Sequence, residues 1–466
     1  MRGQPGFLVS SGSGGGGKTM LCLGLCRALR RRGIAVQPFK KGPDYIDTAW
    51  LGLAAGRPAL NLDPFFLPPG AIRRQFDAAM AALSAGPCGR LAVVEGNRGL
   101  FDGLDARGSC SSAGLARLLE LPLIICLDCS RMTRTAAALL YGLSHFETGL
   151  QILGVVLNRI GSARHERAIR SALEQAGAPP VLGAIPRLAR DPLPERHMGL
   201  ACSGPALAGD AGERLEALAD MAEERLDMGL LEQAAFSAPG AAKSPASLPA
   251  AGPRIGYVRD GALWFYYPDN LRALREAGAS LRPLGIVDAR GGQIFQPDQW
   301  RDLDGLYLGG GFPEDFAPAL SASPALGLIR ELALAGMPIY AECGGLLLLL
   351  EKLRVGDKSF AMAGVFAGSA TLMQGPVGLG YVEATVRRDN PFFPVGMRFR
   401  GHEFHYSACH AAAAEPALEL TRGHGLGRGR DGLCTGRVFA AYTHIFAPAV
   451  PAWARNFVRA ARSWRH

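Results

Sequence analysis

Cys343 stands where an apolar run, Met337-Pro-Ile-Tyr-Ala, ends and a pair of glycines, Gly344 and Gly345, opens a helical run. A thiol on a sharp strand-to-helix turn is lifted to the edge of a sheet, and the helix start behind it favours thiolate, so the pattern reads as a nucleophile elbow. An attacking thiol needs a proton acceptor, and His444, after the apolar run Val438 to Tyr442, is the best candidate. Gly310 and Gly311, in Leu308-Gly-Gly-Gly-Phe-Pro313, end another strand-like run and can offer backbone N–H groups to an oxyanion. His402 and His405 compete for the base role. Two histidines without further ligands read as hydrogen-bonded or substrate-facing strand residues rather than as a metal site.

A second set of residues handles phosphate. Gly12 to Thr19 satisfies G-x-x-x-x-G-K-[ST], with an apolar run before it and a helical pattern after it. Gly12 and Gly17 let backbone N–H groups converge on a nucleotide, Lys18 neutralises its terminal phosphates, and Thr19 is placed to ligate Mg²⁺. A nucleotide and Mg²⁺ are therefore expected at this loop. Acids and lysines follow the next strands: Lys40, Lys41, Asp44, Tyr45 and Asp47 after one, Glu95 and Asp102 after another. In an open parallel sheet such loops gather on one edge, so Thr19, Glu95 and Asp44 are expected at the metal, and Lys41, Asp44, Tyr45, Asp47 and Asp102 along a substrate rim. Asp128 follows a further strand and reads equally well as a helix cap.

Those residues need a scaffold. Phe7 to Ser10, Val36 to Phe39, Leu91 to Glu95, Leu121 to Asp128 and Ile152 to Asn158 read as buried parallel strands, with helical segments such as Met20 to Arg31 and Ser112 to Leu119 between them. The alternation predicts an α/β fold, a doubly wound parallel sheet. Residues 236–253 lose apolar periodicity and fill with Pro, Ala, Ser and Gly, as a linker does. Strand patterns restart at Arg254 to Val258, Gly305 to Leu308, Met337 to Ala341 and Val438 to Tyr442. The expected domains are thus 1–235 and 254–466, both α/β.

Bulk properties agree with a globular enzyme. A chain of 466 residues with 48% hydrophobic and 20% charged residues can fill two cores. The net charge of +9 is dispersed, and the one basic knot, Arg27 with Arg30, Arg31 and Arg32, falls at a helix end where the dipole favours it. Neither nucleic acid nor a membrane is an expected partner. Ten cysteines without framework spacing point to reduced thiols and a cytoplasmic location. Cys126 and Cys129 read as small apolar residues ending a buried strand.

The strings Lys41-Gly-Pro-Asp-Tyr-Ile-Asp47, the turn Asn61-Leu-Asp63, Glu95-Gly-Asn-Arg-Gly-Leu-Phe-Asp-Gly103, Leu308-Gly-Gly-Gly-Phe-Pro-Glu314, Tyr340-Ala-Glu-Cys-Gly-Gly345, Gly378-Leu-Gly-Tyr381 and Gly401-His-Glu-Phe-His-Tyr406 come in an order that resembles the cobyrinic acid a,c-diamide synthase family. The resemblance implies a dethiobiotin-synthetase-like P-loop domain joined to a class I glutamine amidotransferase domain. It further implies ATP, Mg²⁺, L-glutamine and a tetrapyrrole polycarboxylate, with a homodimer as the family-level expectation. Cys343 and His444 would hydrolyse glutamine, and the acids at 44, 95 and 102 would serve the metal and substrate rim. Ile445 and Phe446 follow His444 where many class I amidotransferases have His-x-Glu, which reads as a Cys–His dyad. Asn97 and Arg98, with Met132-Thr-Arg134, resemble a branch that amidates siroheme, so the ring stays open between cobyrinate and siroheme or sirohydrochlorin. A ParA-like ATPase switch, or a ligase with a degenerate glutaminase half, are the remaining readings.

Overall fold

The computed structural model describes residues 5–188, 193, 195–196, 199–200, 210–234, 252–411 and 415–464. They divide into two compact units, one drawn from residues 5–200 and 210–234 and the other from 252–464. Most of the expected linker lies outside the described residues.

The first unit is built on strands β1 (Gly6–Ser11), β2 (Ala35–Lys41), β3 (Leu60–Leu62), β4 (Arg90–Glu95), β5 (Leu123–Asp128), β6 (Ile152–Ile160) and β7 (Val181–Pro186). Their order is β3-β2-β4-β1-β5-β6-β7, and every neighbouring pair is parallel. Parallel strands need crossovers, supplied by helices α1 (Lys18–Arg31), α2 (Ile46–Ala55), α3 (Pro69–Ala82), α4 (Ser112–Leu119), α5 (Arg134–His145) and α6 (Ala163–Gln175). Burial on both faces explains the continuous apolar runs: Phe7, Leu8, Val9, Val93 and Val94 are all fully buried. The segment Asn61-Leu-Asp63 differs from the expected turn. Leu60–Leu62 is an edge strand paired with Phe39, Lys40 and Lys41, too short to show a period in the sequence.

The basic knot also has a fuller explanation than the dipole. Helix α7 (Ala211–Arg225) packs along α1 and presents acids to it, so that Arg27 meets Glu216 while Arg31 meets Asp220 and Glu223. Arg32 pairs with Glu232.

The second unit carries a six-stranded sheet in the order Ser280–Leu284, Arg254–Val258, Gly305–Leu308, Ile339–Glu342, Val438–Ala441, Leu433–Thr435. The first five are parallel and the last is antiparallel. An antiparallel five-stranded sheet follows it, with Gly378–Val386, Arg398–His405 and His444–Ile445 as consecutive neighbours. One core packs Trp453, Phe457, Phe392 and Phe439 around Tyr340. A firm strand under Cys343 is the result.

Candidate active site

In the first unit β1 lies between β4 and β5, so the loop after it opens at the point where strand order reverses. Gly15 (φ 70°) and Gly17 (φ 91°) take left-handed backbone conformations that side chains resist. A Cβ on Gly17 would stand 2.1 Å from Asn158 Nδ2, so the last loop position tolerates no side chain. From below, Asn158 Nδ2 and the Cys126 thiol both donate to the Gly16 carbonyl, at 3.0 and 3.2 Å. Cys126 and Cys129 are fully buried, and Cys126 thus braces the loop as well as filling the core. Above it, Leu100 N–H donates to the Ser11 carbonyl at 2.8 Å, and a Cβ on Gly99 would lie 2.8 Å from the Gly12 carbonyl. The Asp102 loop therefore packs on the phosphate loop, and Asp102 itself is exposed, accepting from Gly99 N–H at 2.8 Å.

Register carries the charged residues to one place. Lys40 lies opposite Glu95 across β2 and β4, and Glu95 opposite Val9 across β4 and β1. Glu95 Oε1 accepts from Thr19 Oγ1 at 2.6 Å and from Lys40 Nζ at 2.7 Å. Lys40 also donates to Asp47 at 2.6 Å, and Asp44 accepts from Asp47 N–H at 2.7 Å. Asn61 ties this loop down through the Gly42 and Asp44 carbonyls. Lys18, nearly buried, donates to Ser11 Oγ at 2.8 Å and the Ser13 carbonyl at 3.1 Å, folded back over its own loop. Thus Thr19, Lys40, Asp44, Asp47 and Glu95 form a single network beside Lys18, and Tyr45 and Lys41 are buried.

The network is electrostatically poised. Burial and the neighbouring Asp47 push the Asp44 carboxyl up to about 7. Burial also raises Glu95 above the usual carboxylate range, with Lys40 opposing. Burial alone would depress the Lys40 ammonium, but Asp47 and Glu95 outweigh it and hold it charged. Lys41, buried with weaker compensation from Asp63, is lowered. Glu95 Oε2 is buried with no hydrogen-bond partner among the described residues, although Oε1 has two. An unused carboxylate oxygen beside a threonine hydroxyl suits a hard cation that keeps waters and phosphates as its other ligands.

A cavity of about 840 Å³ lies beside the loop, lined by Gly17, Met20, Met132, Asn158, Arg159 and Arg187, among others. Of its walls, sequence reasoning had named Gly17 and Met132 but gave no site role to Asn158, Arg159 or Arg187. The signal available was Asn158-Arg159 at the end of a strand two places from β1. Asp128 is not a helix cap: it accepts from Ser130 N–H and pairs with Arg159, which also donates to the Gly15 carbonyl. Arg98, exposed at the rim, sits at φ 53°, an uncommon conformation for a side-chain-bearing residue.

In the second unit Cys343 follows strand Ile339–Glu342 at φ 47°, ψ −101°, a strained turn held by its N–H on the Ala441 carbonyl at 2.8 Å. The glycines around it permit close approach. A Cβ on Gly345 would meet the Leu308 carbonyl at 2.4 Å, and one on Gly344 would come within 3.0 Å of Gly311 N. A Cβ on Gly310 would lie 2.5 Å from His444 Cε1. Cys343, Gly310, Gly311 and His444 are therefore neighbours. The Cys343 thiol contacts the Phe404 carbonyl at 3.5 Å, and burial pushes it up rather than down, outweighing the helix start that favours thiolate. A nearby base must take its proton.

His444 is fully buried at the start of a two-residue strand opposite His402, whose ring stacks on it with centroids 4.8 Å apart. Asp431 fixes the preceding turn through the N–H groups of Tyr442 and Thr443 and the Thr443 hydroxyl. Burial holds His402 well below the ordinary histidine range, and its Nδ1 meets the Tyr267 hydroxyl at 3.3 Å. His405 stacks on Tyr442 and bonds the Ser407 carbonyl. Glu342, which sequence reasoning passed over, lies with Oε2 at 3.6 Å from His444 Nδ1.

Fold and site together define a class of two-part ligases, in which a P-loop nucleotide-binding unit is joined to a cysteine glutamine amidotransferase unit. Residues 7–200 match the CobQ/CobB/MinD/ParA nucleotide binding domain, and residues 254–450 the CobB/CobQ-like glutamine amidotransferase domain. The chain is 39% identical to the cobyrinate a,c-diamide synthase of Magnetococcus marinus, over 99% of this chain and 97% of that protein. It is 39% identical to that of Syntrophotalea carbinolica over 97% and 98%, and 35% identical to that of Methanosarcina acetivorans over 99% and 96%. The chain belongs to the cobyrinate a,c-diamide synthase family, and it is a glutamine-dependent ligase. Among the described residues no helix is long and apolar enough to cross a membrane.

Proposed function

We propose that this chain amidates the a and c acetate carboxylates of cobyrinate, drawing ammonia from L-glutamine and energy from ATP. The observation that carries the reading is the network linking Thr19, Glu95, Lys40, Asp47 and Asp44 at the mouth of the phosphate loop. An ATPase switch needs Lys18 and Thr19, but it has no use for a buried run of acids and lysine leading away from the phosphates. The names of the relatives supply the corrinoid.

ATP occupies the loop, with its base and ribose in the cavity beside Asn158 and Arg159. Lys18 swings from Ser11 and Ser13 to the terminal phosphates. Thr19 and Glu95 would hold Mg²⁺, with Asp44 close by, and that ion would neutralise charge between the phosphates. A substrate carboxylate held by Lys41 and Tyr45, with Asp102 on the same rim, attacks the γ-phosphate and becomes an acyl phosphate as ADP leaves, a step that rests on positioning and charge neutralisation. In the second unit the Cys343 thiol passes its proton to His444 and attacks the glutamine carboxamide. The N–H groups of Gly310 and Gly311 stabilise the resulting oxyanion, and ammonia leaves with the returned proton. Ammonia then displaces phosphate from the activated carboxylate.

The test is product counting by mass spectrometry with ATP, glutamine and either cobyrinate or sirohydrochlorin. Two amides on cobyrinate are expected. Amidation of sirohydrochlorin alone would move the assignment to the siroheme branch, for which Asn97 and Arg98 at the rim are the motivating residues.

A further inference from the structure

Glu342 ends the strand that delivers Cys343, and its side chain is fully buried. A buried carboxylate is costly unless its oxygens are satisfied. Here Oε2 accepts from the Tyr307 hydroxyl at 2.9 Å, while Oε1 accepts from the Tyr340 hydroxyl at 3.2 Å and from Ile445 N–H at 3.0 Å. Those contacts fix the carboxylate beside the residue that follows His444, with Oε2 at 3.6 Å from His444 Nδ1. That separation is too long for a hydrogen bond but close for a charge.

Of the five other buried acids of this unit among the described residues, Glu403 also faces an imidazole, with Oε2 at 3.6 Å from His405 Nε2, but two behave differently. Asp260 and Asp431 are bound by backbone N–H groups, with the Thr443 hydroxyl added for Asp431, as loop-holding acids are. Glu342 spends two of its three bonds on tyrosine hydroxyls and faces an imidazole. The ring it faces is itself clamped, with His402 stacked on it and Gly310 against Cε1. Nδ1 on the Glu342 side leaves Nε2 as the nitrogen that exchanges a proton with the thiol.

We propose that Glu342 is the positioning residue of the glutaminase, an acid supplied from the residue before the nucleophile in place of one that follows the histidine. The Cys–His pair is thereby a three-residue unit. As sulfur forms its bond to the glutamine carboxamide carbon, the thiol proton moves to Nε2, and the Glu342 charge offsets the imidazolium. The C–N bond then breaks, Nε2 returns the proton to departing ammonia, and water releases glutamate from the thioester. Glu342 exchanges no proton in this cycle.

This inference rests on the proposed glutamine hydrolysis, so the readout is glutamate released by the full chain with ATP and tetrapyrrole present. In Glu342→Gln, kcat falls at least about thirtyfold while KM for glutamine stays within about threefold, because the acid acts on the base and not on bound substrate. The double variant Glu342→Gln/His444→Ala hydrolyses glutamine no more than about threefold slower than His444→Ala alone, since a residue acting through His444 has nothing left to lose. Glu342→Asp, which keeps the charge and shortens its reach, falls between wild type and Glu342→Gln and covers the case in which the neutral variant fails to fold. Multiplying losses in the double variant, or a folded Glu342→Gln with wild-type kcat, overturns the proposal. A wild-type chain that releases no glutamate overturns the functional reading itself.

Discussion

Cys343 sits where burial raises its pKa, so in the proposed reaction it depends on His444 beside it and on the glycines that let that ring approach. Gly310→Ala drives a methyl to within 2.5 Å of His444 Cε1. Glutamate release should fall at least about a hundredfold, while amidation fed by ammonium persists, as comparison of the two nitrogen sources will show. At the other site Asp44, raised to about 7, is neutral in much of the folded population where an unfolded chain would carry it ionised. Stability linked to this group is fully present below its unfolded pKa and is lost as pH rises through about 7. Asp44→Asn should therefore melt higher than wild type at pH 8 and show a smaller advantage at pH 6, in nucleotide-free protein followed by thermal unfolding, while its amidation rate collapses. Equal melting shifts at both pH values would remove the carboxyl's charge from the account.

Elements decide which of these residues meet. The nucleophile turn and the phosphate loop are legible in the sequence because each couples an apolar run to glycines, and five strands of the first sheet because each is an apolar run set between helical patterns. β3 and β7 are not, since three residues show no period and Val181–Pro186 is interrupted by glycine and proline. Nor are the mostly antiparallel strands between residues 350 and 435, whose alternate faces carry polar and small residues. Glu342 escaped notice for a physical reason. The expected acid lies two residues after the histidine, whereas the sheet brings one from the neighbouring strand, and pairing across Ile339–Glu342 and Val438–Ala441 has no trace in either segment alone. Asn158 was equally hidden until β6 was seen to end beneath Gly16. Asn158→Ala removes one of two donors to that carbonyl, so KM for ATP should rise about tenfold with glutamate release per amide unchanged. An unchanged KM would mean that Cys126 suffices.

At the scale of the whole molecule, the proposed division of labour is between a unit that activates a carboxylate and a unit that releases ammonia, each with its own parallel sheet and buried core. The comparisons place the chain in one family across nearly its full length, with a nucleotide binding domain matched over residues 7–200 and a glutamine amidotransferase domain over 254–450. The most direct measurement is the nitrogen-source dependence of Cys343→Ala with cobyrinate and ATP. The account predicts that glutamine no longer supports amide formation and that concentrated ammonium still yields the diamide at a rate near wild type with the same source. A folded Cys343→Ala that fails with both sources, or that works with glutamine, would contradict it.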